Sequence, residues 1–229
     1  MLNMTHLQRF STYIFILITS LLISTAANAQ KKKTMFVPDT TAWFQGVEVS
    51  AEIVGAVMKA VSDYGQYEAA LRINLKDKYF PIVELGYGIC DHTDVATNIH
   101  YKTKAPYGKI GLDFNIMKNK HDRYRLYLGA RYAYTTYKAD YDAPPVTDPY
   151  WGGTSEWGEK GMQCHYHWAE VVFGTQAKIW KPLHLGWSVR YRKRLSYSEG
   201  EHSKSWYVPG FGKTGNSNIM GTFNIIIVI

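Results

Sequence analysis

From Val47 to the C-terminus, apolar and polar positions alternate in eight stretches, at 47–58, 67–76, 80–90, 106–117, 123–136, 164–180, 184–198 and 214–229. A period of two predicts β-strands, because successive side chains of a strand point to opposite faces. In 123–136 one face holds Tyr124, Leu126, Leu128, Ala130, Tyr132 and Tyr134, and the other holds Arg125, Tyr127, Gly129 and Arg131. The stretch 184–198 sets Leu185, Trp187, Val189 and Tyr191 against Ser188, Arg190, Arg192 and Arg194. The first stretch sets Val47, Val49, Ala51, Ile53 and Val57 against Glu48, Ser50 and Glu52.

The connections alternate in length. Lys76–Tyr79, Lys118–Asp122 and Trp180–Leu183 are short, whereas Lys59–Gln66, Asp91–Ala105, Tyr137–Gln163 and Glu199–Gly212 are long. Short turns at one rim and long loops at the other are the organisation of a transmembrane β-barrel. The expected fold is therefore all-β, an eight-stranded antiparallel transmembrane barrel.

The same alternation suits a soluble barrel with an apolar interior, so the direction of the faces must be argued. The apolar face carries aromatics near strand ends, where the interfacial girdles of membrane barrels lie. The polar face is rich in glycine (Gly86, Gly88, Gly111, Gly129, Gly174, Gly186). Glycine weakens a solvent-facing strand but makes room in a narrow lumen beside large side chains. Polar-inside is the reading that accounts for both. It puts Glu48, Glu52, Arg72, Glu84, Lys109, Asp113, Arg125, Arg131, Glu170, Arg190, Arg192 and Arg194 in the bore. Buried ions must be paired, so a charge network filling the lumen is expected, and no open pore.

Residues 1–29 have the form of a secretory signal peptide: Arg9, the apolar run Tyr13–Ile23, then Ala27-Asn28-Ala29 as a small-x-small cleavage site. The run is about half the roughly 20 residues a membrane-crossing helix needs. The expected organisation is a cleaved leader 1–29, a periplasmic segment 30–46 and the barrel 47–229. A formal net charge of +7 could suggest nucleic acid, but export argues against it. Anionic lipid headgroups and lipopolysaccharide phosphates suit the surplus Lys and Arg better, and 15% aromatic content suits membrane interfaces.

Candidate chemistry is sparse. Cys90 and Cys164 both fall at the long-loop rim, and an oxidising compartment permits either a bridge or two thiols. The His165-Tyr166-His167 spacing lacks further ligands, and neither a metal site nor a cofactor is expected. Glu201, His202, Ser203 and Ser205 in the last loop are the residues an acyl-transfer reaction could use. Tyr150, Trp151 and Trp157 in the longest loop, with Trp206 and Tyr207 in the last one, could stack on glycan rings or anchor a protein partner. Alternatively they could pack together and close the mouth.

With this leader, strand pattern and loop asymmetry, the chain resembles the small eight-stranded outer-membrane barrels of the OmpA-domain, OmpX and OmpW type. It is most similar to outer-membrane barrels of Bacteroidota grouped as a domain of unknown function. The resemblance covers the leader and 47–229 and implies an outer-membrane location, with outer-membrane lipids, lipopolysaccharide and the barrel-assembly machinery as partners. It implies no reaction. Such barrels usually end in an aromatic residue, and this chain ends Ile225-Ile226-Ile227-Val228-Ile229. The expected function is non-enzymatic, in surface recognition or membrane integrity through the long loops. A lipid-modifying enzyme and a soluble lipocalin-like carrier are the alternatives.

Overall fold

The computed structural model describes residues 41–155, 157–198 and 205–229. The expected signal peptide lies outside them, as do Glu201, His202 and Ser203. In chain order the elements are β1 (Phe44–Glu52), α1 (Val54–Val61), β2 (Tyr64–Leu75), β3 (Tyr79–Thr93), β4 (His100–Asn115), β5 (Tyr124–Asp142), β6 (Val146–Thr147), β7 (Thr154–Ser155), β8 (Gly158–Lys178), β9 (Leu183–Ser198), β10 (Tyr207–Val208), β11 (Gly212–Lys213) and β12 (Ser217–Val228).

Eight of the strands close into a barrel in the order β1-β12-β9-β8-β5-β4-β3-β2, every neighbouring pair antiparallel. The ring is sealed where the two chain ends meet. Val49 lies opposite Ile227, and Val47 and Ile229 exchange backbone hydrogen bonds of 3.1 and 2.8 Å. Closure leaves no free edge, the condition for strands to cross a bilayer.

Alternation sorts the two faces. Leu71, Ile73, Val83, Leu85, Ile110, Phe114, Leu128, Val171, Phe173, Ile225 and Ile227 are exposed on the outside, while the charged residues of the opposite face are buried within. Tyr67, Tyr87, Tyr132, Tyr134 and Tyr191 mark the long-loop border of this apolar belt, and Tyr124 and Trp180 lie towards the other. The β2–β3 turn shows how short connections are made: Lys76 and Asp77 both have positive φ, 55° and 54°, matching the twist of the flanking strands. Asn74 supports it, accepting the Asp77 N–H at 2.9 Å.

Two expectations require correction. The sequence pattern runs strand one through 58, but the strand stops at Glu52 and the chain turns into α1, taking Ile53 and Val57 out of the wall. Gly65 explains the seat of this helix, since a Cβ there would collide with the backbone and Cβ of Lys59. The other correction concerns the loops 91–105 and 137–163, which are largely strand. The β4 ladder begins at His100, β5 runs to Asp142 and β8 starts at Gly158. A β5–β8 hairpin thereby projects well beyond the belt.

Candidate functional site

The bore contains a continuous chain of alternating charge. Arg125 meets Glu48 at 2.8 Å, Glu48 meets Arg72 at 3.3 Å, Arg72 meets Asp113 at 2.9 Å and Asp113 meets Arg131 at 3.1 Å. It continues through Arg131–Glu84 (3.1 Å), Glu84–Arg190 (2.9 Å), Arg190–Glu68 (2.8 Å), Glu68–Lys109 (2.8 Å), Lys109–Glu170 (3.2 Å) and Glu170–Arg192 (3.1 Å). Cations and carboxylates alternate throughout, and both ends of the chain are cations. In a low-dielectric lumen this order lets each ion be flanked by its opposite, which offsets the cost of dehydration.

Aromatic rings complete the fit. The Arg125 guanidinium lies 3.8 Å from the Phe80 ring centroid and that of Arg72 lies 5.1 Å from Tyr127. The Tyr107 hydroxyl donates to Glu68 at 2.9 Å and Trp168 Nε1 donates to Glu170 at 2.7 Å. Glycines make the space: a Cβ on Gly86 would strike the Tyr107 ring, and one on Gly174 would stand 2.6 Å from the Tyr127 hydroxyl.

Glu68 is missing from the network expected on sequence grounds, although it shares the inward face of β2 with Arg72. Parity carries that signal; only its partners are invisible in the sequence. Conversely, Glu52 and Arg194 stand outside the network. Glu52 accepts the Gly55 N–H at 2.8 Å in the first turn of α1. Arg194, at the rim, donates to the Asn216 side chain and lies 4.0 Å from the Tyr197 ring.

Above the charges the lumen changes character. Cys90, Tyr101, Tyr107, Tyr137, Tyr141, Met162, Cys164, Tyr166, Trp168, Tyr207, Val208 and Phe211 form one buried cluster. Three of them come from the last long connection, whose β10–β11 hairpin folds into the mouth as a plug. Tyr101 donates to the Tyr207 carbonyl at 2.7 Å, Tyr207 donates to the Gly65 carbonyl at 3.2 Å, and Arg192 donates to the Phe211 carbonyl at 2.8 Å. Gly88 admits the plug closely, since a Cβ there would lie 2.7 Å from Pro209 Cα. Tyr207 is consequently a buried anchor, a correction to its reading as a binding surface. Trp206 is half-buried and stacks on His92 with ring centroids 4.1 Å apart. Tyr150 and Trp151 are 92% and 89% exposed at the β5–β8 tip, with Trp157 also exposed.

No disulfide joins Cys90 to Cys164; both remain thiols. They sit on β3 and β8, with β4 and β5 intervening around the wall. Three strand spacings of about 4.8 Å exceed the roughly 7 Å Cα separation a bridge can span. Ser205 is held inside by Tyr137, which donates to its Oγ at 2.7 Å, and lies 3.7 Å from Cys164 Sγ. Among the described residues no group of His, Cys, Asp and Glu has metal-site geometry.

A closed ring that is apolar outside and charged within is the inverse of a soluble barrel. It defines an integral β-barrel of the outer-membrane kind, its belt in contact with lipid. The chain belongs to the family described as Domain of unknown function (DUF6048), whose model matches residues 8–228. It is similar in structure to Neisserial surface protein A (12% identity, TM-score 0.42, covering 82% of this chain and 97% of that one). CarO2 of Acinetobacter baumannii is similar at 12% identity and TM-score 0.38, covering 83% and 100%. A major outer membrane protein from Thermus thermophilus is similar at 11% identity and TM-score 0.39, covering 80% and 98%. No match is found among curated proteins.

Proposed function

We propose that this protein is a non-enzymatic, plugged outer-membrane barrel that acts in surface recognition through its β5–β8 hairpin. The observation that carries this reading is the hairpin itself, a two-stranded stalk beyond the belt with Tyr150 and Trp151 bare at its tip. Rigid aromatics offer large contact area at low entropic cost, suited to sugar rings or a protein partner. The filled lumen supports a role that does not depend on conduction. On the outer wall Lys102, Lys104 and Lys138 are exposed above the belt, at the height where lipopolysaccharide phosphates would lie. The reading includes export through the 1–29 leader and insertion by the assembly machinery.

The test is saturable binding of the full chain, in lipid nanodiscs, to a glycan array. Loss of signal on combined Tyr150→Ala and Trp151→Ala substitution is expected, with the barrel still resistant to unheated SDS. Binding that survives the double variant, or no binding at all, would sink glycan recognition by the hairpin tip. Outer-membrane lipid profiles altered by His202→Ala or Ser203→Ala would favour a lipid-modifying enzyme instead.

A further inference from the structure

The end of β1 leaves a notch in the barrel wall. On β1 the last paired residue, Glu52, faces Glu68 of β2 and Asn224 of β12. Both neighbours continue past it, β2 from Tyr64 and β12 from Ser217, so for several residues these two strands have no strand between them. α1 fills this gap on the β2 side, where Gly55 lies against Gln66 and Gly65 against Lys59. On the β12 side a cavity of 220 Å³ remains, lined by Met58, Gln66, Arg192, Tyr207, Lys213 and Met220 among others.

Two of these lining residues carry donors without a hydrogen-bond partner among the described residues: Gln66 Nε2 and Arg192 Nη2. Gln66 is 3% exposed and Arg192 is fully buried. Leaving a buried donor unpaired is costly, so two such donors on residues that line one cavity point to an acceptor that belongs there. Charge agrees. Arg192 is the terminal cation of the ladder, with carboxylate contact on its Nε side only, and Lys213 adds a second cation at the cavity wall. Glu52 accepts the Gly55 N–H with its Oε2, and its buried Oε1 has no hydrogen-bond partner among the described residues.

The notch lies at the long-loop border of the apolar belt: Tyr67 on its β2 flank marks that border, and Ile219, exposed on β12 opposite Tyr191, is among the residues lining the cavity. At about 30 Å³ per water the cavity has room for roughly seven waters, the size of an anionic head with its first few methylenes. Met58 and Met220 supply adaptable apolar walls for such methylenes.

We infer that the notch between β2 and β12 is a lateral binding site for an anionic amphiphile of the outer leaflet. Its phosphate or carboxylate head is held by Gln66 and Arg192, and its tail lies along Met58, Met220 and Ile219. The site is separate from the hairpin, and either can fail without the other.

The experiment titrates dodecyl phosphate into the full chain in a neutral micelle, read by NMR at the Gln66 side-chain amide and the Arg192 Nε–H. Both signals should shift saturably at one equivalent. Dodecanol and inorganic phosphate at the same concentrations should leave them in place. Gln66→Leu should weaken binding at least tenfold, and Met220→Trp, which fills the cavity, should abolish it; a heat-modifiability gel verifies that each variant is folded. An equal response to inorganic phosphate would overturn the membrane-derived ligand, and an equal response to dodecanol would overturn recognition of the head. No response, or undiminished binding in both folded variants, would overturn the site itself.

Discussion

Arg192 and Phe211 are joined by one hydrogen bond of 2.8 Å, from the guanidinium Nη1 to the backbone carbonyl oxygen. Through it the charge ladder of the wall ends on the backbone of the plug. The bore is thus filled by two kinds of matter, ion pairs at membrane depth and an aromatic core above. Above the belt the strands stand in water, so the interior there follows ordinary core rules, and apolar burial closes the mouth.

Gly210 tests the plug. Its φ is +81° and a Cβ would stand 2.5 Å from Cγ of Tyr107, so Gly210→Ala meets both backbone strain and a ring that cannot retreat. Destabilisation of about 1–3 kcal/mol is expected. It is measured as a lower temperature at which the folded band disappears on an unboiled-versus-boiled SDS gel.

Asp113 tests the ladder. It is wedged between Arg72 at 2.9 Å and Arg131 at 3.1 Å, so Asp113→Asn leaves two guanidinium groups facing a neutral amide. Removing one member of a buried pair costs about 3–5 kcal/mol. The low end is expected, because Arg72 keeps Glu48 and Arg131 keeps Glu84. Urea unfolding in neutral micelles reads the difference.

The two thiols should be silent in the folded protein. Cys90 and Cys164 are both buried, so maleimide should label neither until the barrel is boiled, and oxidant should not shift the unreduced band. Rapid labelling of the folded chain would contradict the closed mouth.

Asp91, on the part of β3 above the belt, should titrate low. Side-chain hydrogen bonds from His100 and then Lys102 hold its carboxyl below the usual range. A depressed folded value means its contribution to stability is complete above the ordinary Asp value of about 4 and is lost as pH falls through the folded value. The group is exposed, so the energetic effect is small; an NMR titration of the Asp91 carboxyl carbon checks it. His100→Ala should move the midpoint up.

Alternation along 123–136 and 184–198 is enough to place Tyr124, Leu128, Trp187 and Tyr191 on lipid and Arg125, Arg131, Arg190 and Arg192 inside. Parity is a local property and survives into the barrel. The same reasoning fails at 53–58, where apolar residues continue but the chain leaves the wall, because seating α1 depends on Gly65 from another segment. Parity is silent on the plug, for which the aromatics Trp206 and Tyr207 offer mouth closure only as one alternative; Val208-Pro209-Gly210-Phe211, two apolar residues around a Pro-Gly turn just after them, adds a faint sign.

The number of wall strands, the face that residues within those strands take and the rim that bears the long connections can all be read along one chain. They follow from periodicity and spacing, which are properties of neighbouring residues. Folding in three dimensions settles the rest: which carboxylate meets which guanidinium, that the two cysteines stay apart, that Tyr207 is buried, and that a notch opens between β2 and β12. Those facts depend on how eight strands are sheared against one another around a closed ring. That shear is set by packing between residues far apart in the chain.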